Sequence, residues 1–446
     1  MEDTIFAPMT PVGVSAAALI RISGSKTFEI LGEIFSKPID KAEGYTAHHG
    51  YISDGDKTKD DVIVTVYRSP KSYTGEDVAE ISCHGSPFVS AEIQRLLIKK
   101  GARLALPGEF SKRAFVNGKM DMVQAEAVID LIESESEKEA EIALLQIKGG
   151  FSAKTEELRQ ELISLSADIL AYVDYPDDEI IDVPASELRK KITECCKKLE
   201  KWEKSYGSGK IIKEGLRVCI TGKPNVGKSS LMNRLSGYDK SIVTDIEGTT
   251  RDVIEETVSV GGLKLRLFDT AGIRESGDAV EKIGVERAAE KIETANLILC
   301  LFDLSRPFDK DDEKTLTLLE KSKAKKIAVY NKCDKEKVFD KTISGFDGEV
   351  TISAENDIGI SELEKIITDA VSNETATDET VMNARQYSCV LSALTALQNA
   401  VENIELTPDV LLCDVEAAIK SLSVMTGKTV SEEIIENIFS RFCVGK

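Results

Sequence analysis

One octapeptide constrains this chain more than any other feature: Gly222-Lys-Pro-Asn-Val-Gly227-Lys228-Ser229 fits G-x-x-x-x-G-K-[ST]. Such a loop works between a strand and a helix N-terminus, where glycines let backbone N–H groups close around phosphates and the helix dipole favours their charge. The flanks meet that requirement. Residues 216–221 form a short apolar, β-branched run suited to a buried strand, and residues 229–235 have the composition of the first turns of a helix. An α/β module is therefore expected, with Asn225, Val226, Gly227, Lys228, Ser229 and Ser230 at its phosphate loop. Lys228 can reach the outer phosphates, and the Ser229 hydroxyl can ligate magnesium.

Four further elements accompany the loop. Asp269-Thr270-Ala271-Gly272 follows an alternating run at 264–268, so Asp269 can hold magnesium through water and Gly272 can lie near a γ-phosphate. Asn331-Lys332-Cys333-Asp334 ends a third strand, at 326–330, and the Asp334 carboxylate can accept from the guanine N1–H and 2-amino group. Adenine lacks that donor pair and would leave the carboxylate unpaired. Ser353-Ala354-Glu355 closes a strand at 349–352 and offers backbone N–H groups to the guanine O6. Thr244-Asp245 and Ile246-Glu247-Gly248-Thr249-Thr250 supply a switch whose Thr250 can complete the magnesium shell. Together these elements point to GTP and phosphoryl transfer.

Ras-like enzymes place a water-orienting glutamine directly after Asp-x-x-Gly, but here that position is Ile273. The three histidines, His48, His49 and His84, lie far upstream, which leaves Glu275, Asp278 and Glu281 as local candidates. Asn225 adds a side-chain carbonyl that can help hold a monovalent cation near the phosphates in place of an arginine finger.

At 446 residues and 42% hydrophobic content the chain can build two or three cores. Residues 1–118 have mixed patterning, with a strand at 62–67 and a helix at 88–100. Residues 124–171 are almost continuously helical, interrupted at Gly149-Gly150. Leu188, Ile192, Cys195, Leu199 and Trp202 form a packing seam on a helix expected to stop at Gly207-Ser208-Gly209. Helical periodicity returns at 384–405 and 414–442, so a nucleotide module at 214–373 is expected as an insertion between helical segments 119–213 and 374–446.

A net charge of -20 lowers the expectation of general nucleic-acid coating without excluding a local basic face. Arg189-Lys190-Lys191, Lys197-Lys198 and Lys201 cluster, yet Glu187, Glu194, Glu200 and Glu203 interleave with them, the pattern of a solvated helix face. Nine cysteines without C-x-x-C spacing argue against a zinc site or disulfide framework. No apolar run approaches the roughly 20 residues a membrane span needs, and the N-terminus lacks a cleavable signal, so a cytoplasmic location is expected.

Over essentially its full length the chain resembles the MnmE (TrmE) family of bacterial tRNA modification GTPases. The resemblance rests on Tyr73-Thr-Gly-Glu-Asp77, Pro107-Gly-Glu-Phe110, Arg113-Ala-Phe-Val-Asn-Gly-Lys119, Gln124-Ala-Glu126, Phe151-Ser152, the nucleotide elements, and the terminal Phe442-Cys443-Val444-Gly445-Lys446. It implies a multidomain fold: an α+β N-terminal domain at 1–118 that binds tetrahydrofolate and forms a homodimer, an α-helical central domain, and an inserted α/β Ras-like P-loop GTPase domain. It implies further that Arg21, Glu80, Lys119 and Lys446 surround 5,10-methylenetetrahydrofolate or a related derivative. Glu281 is selected as the residue that orients water, and Asn225, Thr244, Ile246 and Thr249 as the potassium site.

The resemblance implies in addition that Cys443 belongs to a modification centre; read by itself, the C-terminus makes a poor prenylation signal because of Gly445 and Lys446, and a buried helix-end cysteine is the plain alternative. The implied activity is modification of C5 of tRNA wobble uridine to aminomethyl or carboxymethylaminomethyl forms. The implied partner is a flavin-containing, FAD-binding MnmG-type (GidA-type) protein in a heterotetrameric complex. The chain departs from the family pattern around Thr10-Pro11-Val12-Gly13-Val14-Ser15-Ala16 and at Cys83-His84-Gly85-Ser86, both near the implied folate pocket. An Era- or EngA-type ribosome-assembly GTPase is the alternative, disfavoured because neither a K-homology domain nor a second P-loop is apparent.

Overall fold

A computed structural model of the chain describes residues 3–174, 185–237, 255–269, 292–320, 322–339, 341–371, 377, 379–405 and 407–446. Two compact units result, Met1–Ile129 with Ile419–Lys446, and Asp130–Ala418.

The first unit is built on β1 (Ile5–Pro8), β2 (Ala17–Ser23), α1 (Thr27–Ile34), β3 (Thr46–Asp54), β4 (Lys57–Tyr67), β5 (Val78–His84), α2 (Pro87–Lys99), β6 (Arg103–Leu104), α3 (Glu109–Val116) and α4 (Met122–Glu133). Its sheet has the order β3-β4-β5-β2-β1-β6, antiparallel except for β1 beside β6. Strand alternation sorts the side chains. Phe6, Ile20, Ile22, Val64 and Ile81 join Phe28, Leu31, Ile93 and Leu97 of α1 and α2 in one core. Ile5 and Ala7 pack instead with Ala105, Phe110 and Tyr73. The expected strand falls within β4, and α2 matches the expected helix to within one residue at each end.

In the second unit, α5 (Glu137–Ile147) and α6 (Gly150–Asp174) replace most of the expected near-continuous helix. The break at Gly149-Gly150 is present, but an earlier one falls between α4 and α5. Ser136 caps α5 by accepting from the Glu139 N–H at 3.3 Å, while the Glu139 carboxylate accepts from the Glu135 N–H at 3.0 Å.

α7 (Ala185–Glu214) corrects a second expectation, because it runs through Gly207-Ser208-Gly209 without stopping. Gly209 is buried, and a Cβ there would lie 2.1 Å from the Val381 carbonyl oxygen. Its missing side chain admits a neighbouring chain segment and does not end the helix.

β7 (Leu216–Thr221) begins two residues after α7, followed by α8 (Lys228–Gly237), β8 (Glu255–Val260), β9 (Leu263–Asp269), β10 (Leu297–Asp303), α9 (Lys310–Leu319), β11 (Lys325–Asn331), β12 (Gly348–Thr351) and α10 (Ile360–Val371). The sheet order is β12-β11-β10-β7-β9-β8, parallel except for the β8–β9 hairpin. β10 is buried along its whole length, with Leu299 and Leu301 in one core and Ile298, Cys300 and Phe302 in another. At roughly 1.5–3 kcal/mol per large apolar side chain, these two layers hold the sheet rigid. Strand order reverses at β7, so the loop leaving its C-terminal end opens into the crevice where such sheets bind ligands.

The chain continues through α11 (Ala384–Glu402) and α12 (Pro408–Thr426) and ends after α13 (Glu432–Phe439), which lies in the first unit. α7 packs along α11. Ile192, Cys195, Leu199 and Trp202 of the expected seam are buried, and Leu188 is half-buried. Trp202 meets Phe151 edge-on at 5.2 Å, and Tyr206 stacks on Tyr387 at 4.2 Å. Burial, reinforced by Glu161, pushes the Cys195 thiol up to about 12.

The segment before α11 is fastened to this layer. Glu379 accepts from Lys201 at 2.8 Å and from the Trp202 indole at 3.3 Å. The Thr380 carbonyl accepts from the Gln146 amide at 2.8 Å, and the Val381 N–H donates to the Ser205 hydroxyl at 3.1 Å. No helix among the described residues is long and apolar enough to cross a membrane.

Candidate functional site

The loop between β7 and α8 combines three positive φ angles, +143° at Gly222, +63° at Asn225 and +101° at Gly227. Glycine is required twice for packing as well as for backbone conformation. A Cβ at Gly222 would meet the Leu301 carbonyl oxygen at 2.6 Å, and one at Gly227 would meet Asn331 Nδ2 at 2.1 Å. Lys228 is buried with its ammonium spanning the loop, donating to the carbonyls of Gly222 at 3.0 Å and Lys223 at 2.9 Å. Val226 is buried, while Ser229 and Ser230 are exposed on the first turn of α8, where N–H groups are unsatisfied by the helix itself. Exposed Asn225 lies at the rim of the loop.

Asn331 joins three of the sequence motifs. Its buried amide donates to the Val226 carbonyl at 2.8 Å and accepts from the Ala354 N–H at 3.0 Å. Lys332, at φ +65°, donates to the Asn225 carbonyl at 2.9 Å and to Asp303 Oδ2 at 2.6 Å. Burial opposes ionisation of Asp303, but hydrogen bonds from Lys332, Ser305 and Arg306 outweigh it and hold the carboxyl far below the usual range. Asp334 is exposed, and the hydroxyl of buried Ser353 donates to it, which lowers its pKa and aims an ionised acceptor out of the loop. A cavity of about 480 Å³ lies beside this loop, lined by Ser230, Asn233, Arg234, Gly237 and Ala354. The exposed Glu355 receives a long hydrogen bond on its carbonyl from Arg234, at 3.4 Å. Asp269 closes β9 opposite Ile220. Thr244, Asp245, Ile246, Glu247, Gly248, Thr249, Thr250, Thr270, Ala271, Gly272 and Glu281 lie outside the described residues.

Lys223 was missed by sequence reasoning. This buried loop residue bonds Asp309 and Asp312 at 2.7 Å each. The only sequence signal was Asp-x-x-Asp ahead of α9, a helix-start pattern with nothing to connect it to a lysine 86 positions earlier.

The first unit carries a separate cluster of charged side chains. Arg21 on β2 stands opposite Glu80 on β5 in the ladder, and its Nη2 and Nε both donate to Glu80 Oε1, at 2.7 and 2.9 Å. The guanidinium lies over the rings of Tyr73 at 5.0 Å and Phe110 at 5.8 Å. Among the described residues, the buried Arg21 Nη1 finds no hydrogen-bond partner. Lys446 joins this pair from the C-terminus: burial lowers its pKa, Arg21 lowers it further, and Glu80 opposes both. The tail is threaded closely, since a Cβ at Gly445 would sit 2.6 Å from the Pro8 carbonyl oxygen. Cys443 is exposed, and its carbonyl accepts from the Lys446 N–H at 3.3 Å. Lys119 is also exposed but donates to the Pro70 carbonyl at 3.0 Å, and among the described residues it forms no hydrogen bond or ion pair with Arg21, Glu80 or Lys446.

A phosphate loop at the switch point of a parallel sheet, tied by one asparagine to a loop presenting an ionised carboxylate, defines a guanine-nucleotide-binding P-loop protein. Comparison with known proteins carries the assignment from class to family. The model of the MnmE helical domain matches residues 122–443, and that of the GTP-binding protein TrmE N-terminus matches residues 4–119. A protein of Acetivibrio thermocellus named tRNA modification GTPase MnmE is 43% identical over 458 aligned residues, covering 100% of this chain and 99% of the relative. Relatives of the same name from Cytophaga hutchinsonii and Thermotoga maritima are each 40% identical, covering all of this chain and 98% and 100% of their own lengths. The chain belongs to the MnmE family of tRNA modification GTPases.

Proposed function

We propose that this chain is a potassium-dependent GTPase that modifies C5 of tRNA wobble uridine with a flavin-containing MnmG-type (GidA-type) partner, building aminomethyl or carboxymethylaminomethyl groups from a tetrahydrofolate one-carbon unit. The observation that carries the reading is the orphaned Arg21 Nη1. A buried guanidinium donor without an acceptor is costly, and a folate carboxylate or pterin oxygen is an acceptor of the right chemistry. The Arg21, Glu80 and Lys446 cluster therefore fits a tetrahydrofolate derivative, with Lys119 as an outer member. Exposed Cys443, three residues from Lys446, is the candidate nucleophile beside it.

In the nucleotide module, Lys228 and the loop N–H groups would hold phosphates, and Asp334 with the Ala354 N–H would read guanine. The Ser229 hydroxyl fits magnesium, with Thr250 as its expected second protein ligand. Asn225, Thr244, Ile246 and Thr249 are the proposed potassium ligands, and Glu281 is the residue proposed to orient water. The division at 118, 213 and 373 is retained as the domain proposal, with homodimer formation assigned to the N-terminal domain and the cytoplasm as location.

Equilibrium titration of tetrahydrofolate into the purified chain tests the two-chemistry reading. Arg21→Met should abolish binding and deletion of Lys446 should weaken it, with GTP affinity unchanged in both. Failure of the unmodified chain to bind any reduced folate would refute the folate assignment.

A further inference from the structure

The outer limb of the phosphate loop is gripped at three consecutive residues. Lys223, only 4% exposed, reaches Asp309 and Asp312. The Pro224 carbonyl accepts from Arg306 at 3.5 Å, and the Asn225 carbonyl accepts from Lys332 at 2.9 Å. All three cations return to one stretch of chain, since Arg306 and Lys332 both pair with Asp303, at 3.0 and 2.6 Å. Three cations face three carboxylates. The group therefore adds no net charge toward bound phosphates, and its influence on them is one of position.

The acceptors of Lys223 are themselves held. Asp309 is the N-cap of α9 and accepts from the N–H groups of Asp311 and Asp312, while Asp312 Oδ2 accepts from the Asp309 N–H at 3.1 Å. This capping box leaves Oδ2 of both aspartates on Lys223. The limb is further held by the Lys228 bond to the Lys223 carbonyl at 2.9 Å, whereas Pro224 carries no N–H to add another. Asn225 occupies the left-handed region, which asparagine tolerates better than most non-glycine residues, so its position rests on the bonds to its neighbours.

We propose that Lys223, clamped by Asp309 and Asp312, is a positioning residue for GTP hydrolysis: it fixes the 223–225 limb so that Asn225 stands at a constant place beside the phosphates, and thereby sets the monovalent-cation requirement. The cation part of this inference rests on the potassium reading above. Diphosphate binding depends chiefly on the inner limb and Lys228, so the clamp acts on turnover more than on affinity.

The test measures GTP turnover across a potassium titration, beside GDP affinity, for the full chain and four variants. Lys223→Met should raise the potassium midpoint roughly tenfold, less than the roughly hundredfold that a misplacement of about an ångström can cost at the reacting groups themselves, while GDP affinity changes less than about threefold. Lys223→Arg should restore the midpoint, since its fork can reach both carboxylates. Asp309→Asn keeps an N-cap and removes one charge, so it should shift the midpoint in the same direction by less, and it serves if Lys223→Met fails to fold. Combining Lys223→Met with Asp309→Asn alone leaves two cations facing two carboxylates and so restores neutrality without the tether. A midpoint that stays high in this variant supports positioning, and one that returns to the unmodified value overturns it in favour of simple charge. If the unmodified chain turns over equally in potassium and sodium, the potassium reading fails on its own. The clamp is then judged by kcat: a fall with GDP affinity retained sustains it, and unchanged kcat overturns it.

Discussion

Two glycines two positions apart on α7 should respond oppositely to the same substitution. In a helix interior, Gly→Ala gains about 0.8–1 kcal/mol from propensity. At Gly207 nothing among the described residues, its own helical backbone aside, lies within 4 Å of the new methyl, so Gly207→Ala should realise most of that gain. At Gly209 the methyl would stand 2.1 Å from the Val381 carbonyl oxygen and 3.1 Å from Thr380 Cγ2. Relieving the contact means displacing Val381, which is fully buried, and straining its bond to Ser205 and the buried Gln146 bond to Thr380. Leaving those two groups unpaired costs about 1–3 kcal/mol each, so the clash outweighs propensity and the net loss is about 1–5 kcal/mol. Differential scanning calorimetry of the full chain reads the sign, at very roughly 2–4 °C per kcal/mol for a unit of this kind. Hydrogen exchange at 379–383 assigns the change to the fastened segment. Gly207→Ala should melt higher, and Gly209→Ala lower with a deprotected Val381 amide. Equal stability of the two variants would refute the argument that Gly209 exists for close approach.

Asp334→Asn should weaken GTP binding and improve binding of xanthosine triphosphate, whose 2-oxo group can accept from the new amide; an unchanged preference in a binding titration contradicts base reading by this residue. Asn331→Ala removes the bond to Val226 and leaves the Ala354 N–H unpaired, so GTP and GDP affinity should both fall by at least about tenfold, and affinities within twofold of the unmodified chain would exclude it as the link between the loops. Glu281→Ala should lower turnover with GTP affinity retained, and a matching loss of affinity would point to a structural role. Cys443→Ser should strip wobble-uridine modification from tRNA while sparing GTP hydrolysis, because a hydroxyl is a far weaker nucleophile; nucleoside analysis showing normal modification removes Cys443 from that chemistry.

What the sequence made legible was local. The phosphate loop, its strand and its helix are contiguous, so residues 216–235 announce one another, and the strands at 264–268 and 326–330 end directly in their motifs. The Ser136-x-x-Glu139 box was equally local and available, and it would have placed the break ahead of α5. Gly207-Ser208-Gly209 misled because glycine signals both helix ends and close packing, and the segment that selects packing arrives at residue 381. Lys223 was opaque for the same reason, its two carboxylates being supplied by a helix start 86 and 89 positions later. Pairing of Arg21 with Glu80, by contrast, needs the strand register as well as the two residues.

The unbroken course of α7 makes residue count along it a matter of angle. Its 30 residues span about 45 Å and run to within two positions of β7, with no loop to absorb a change. A single inserted or deleted residue between Ala185 and Glu214 would turn everything beyond it by about 100° and shift it by about 1.5 Å, carrying Gly209 off Val381 and Lys201 off Glu379. Insertions and deletions within this family should therefore avoid this helix, or come in sets of three, four or seven that return its buried seam to the same side.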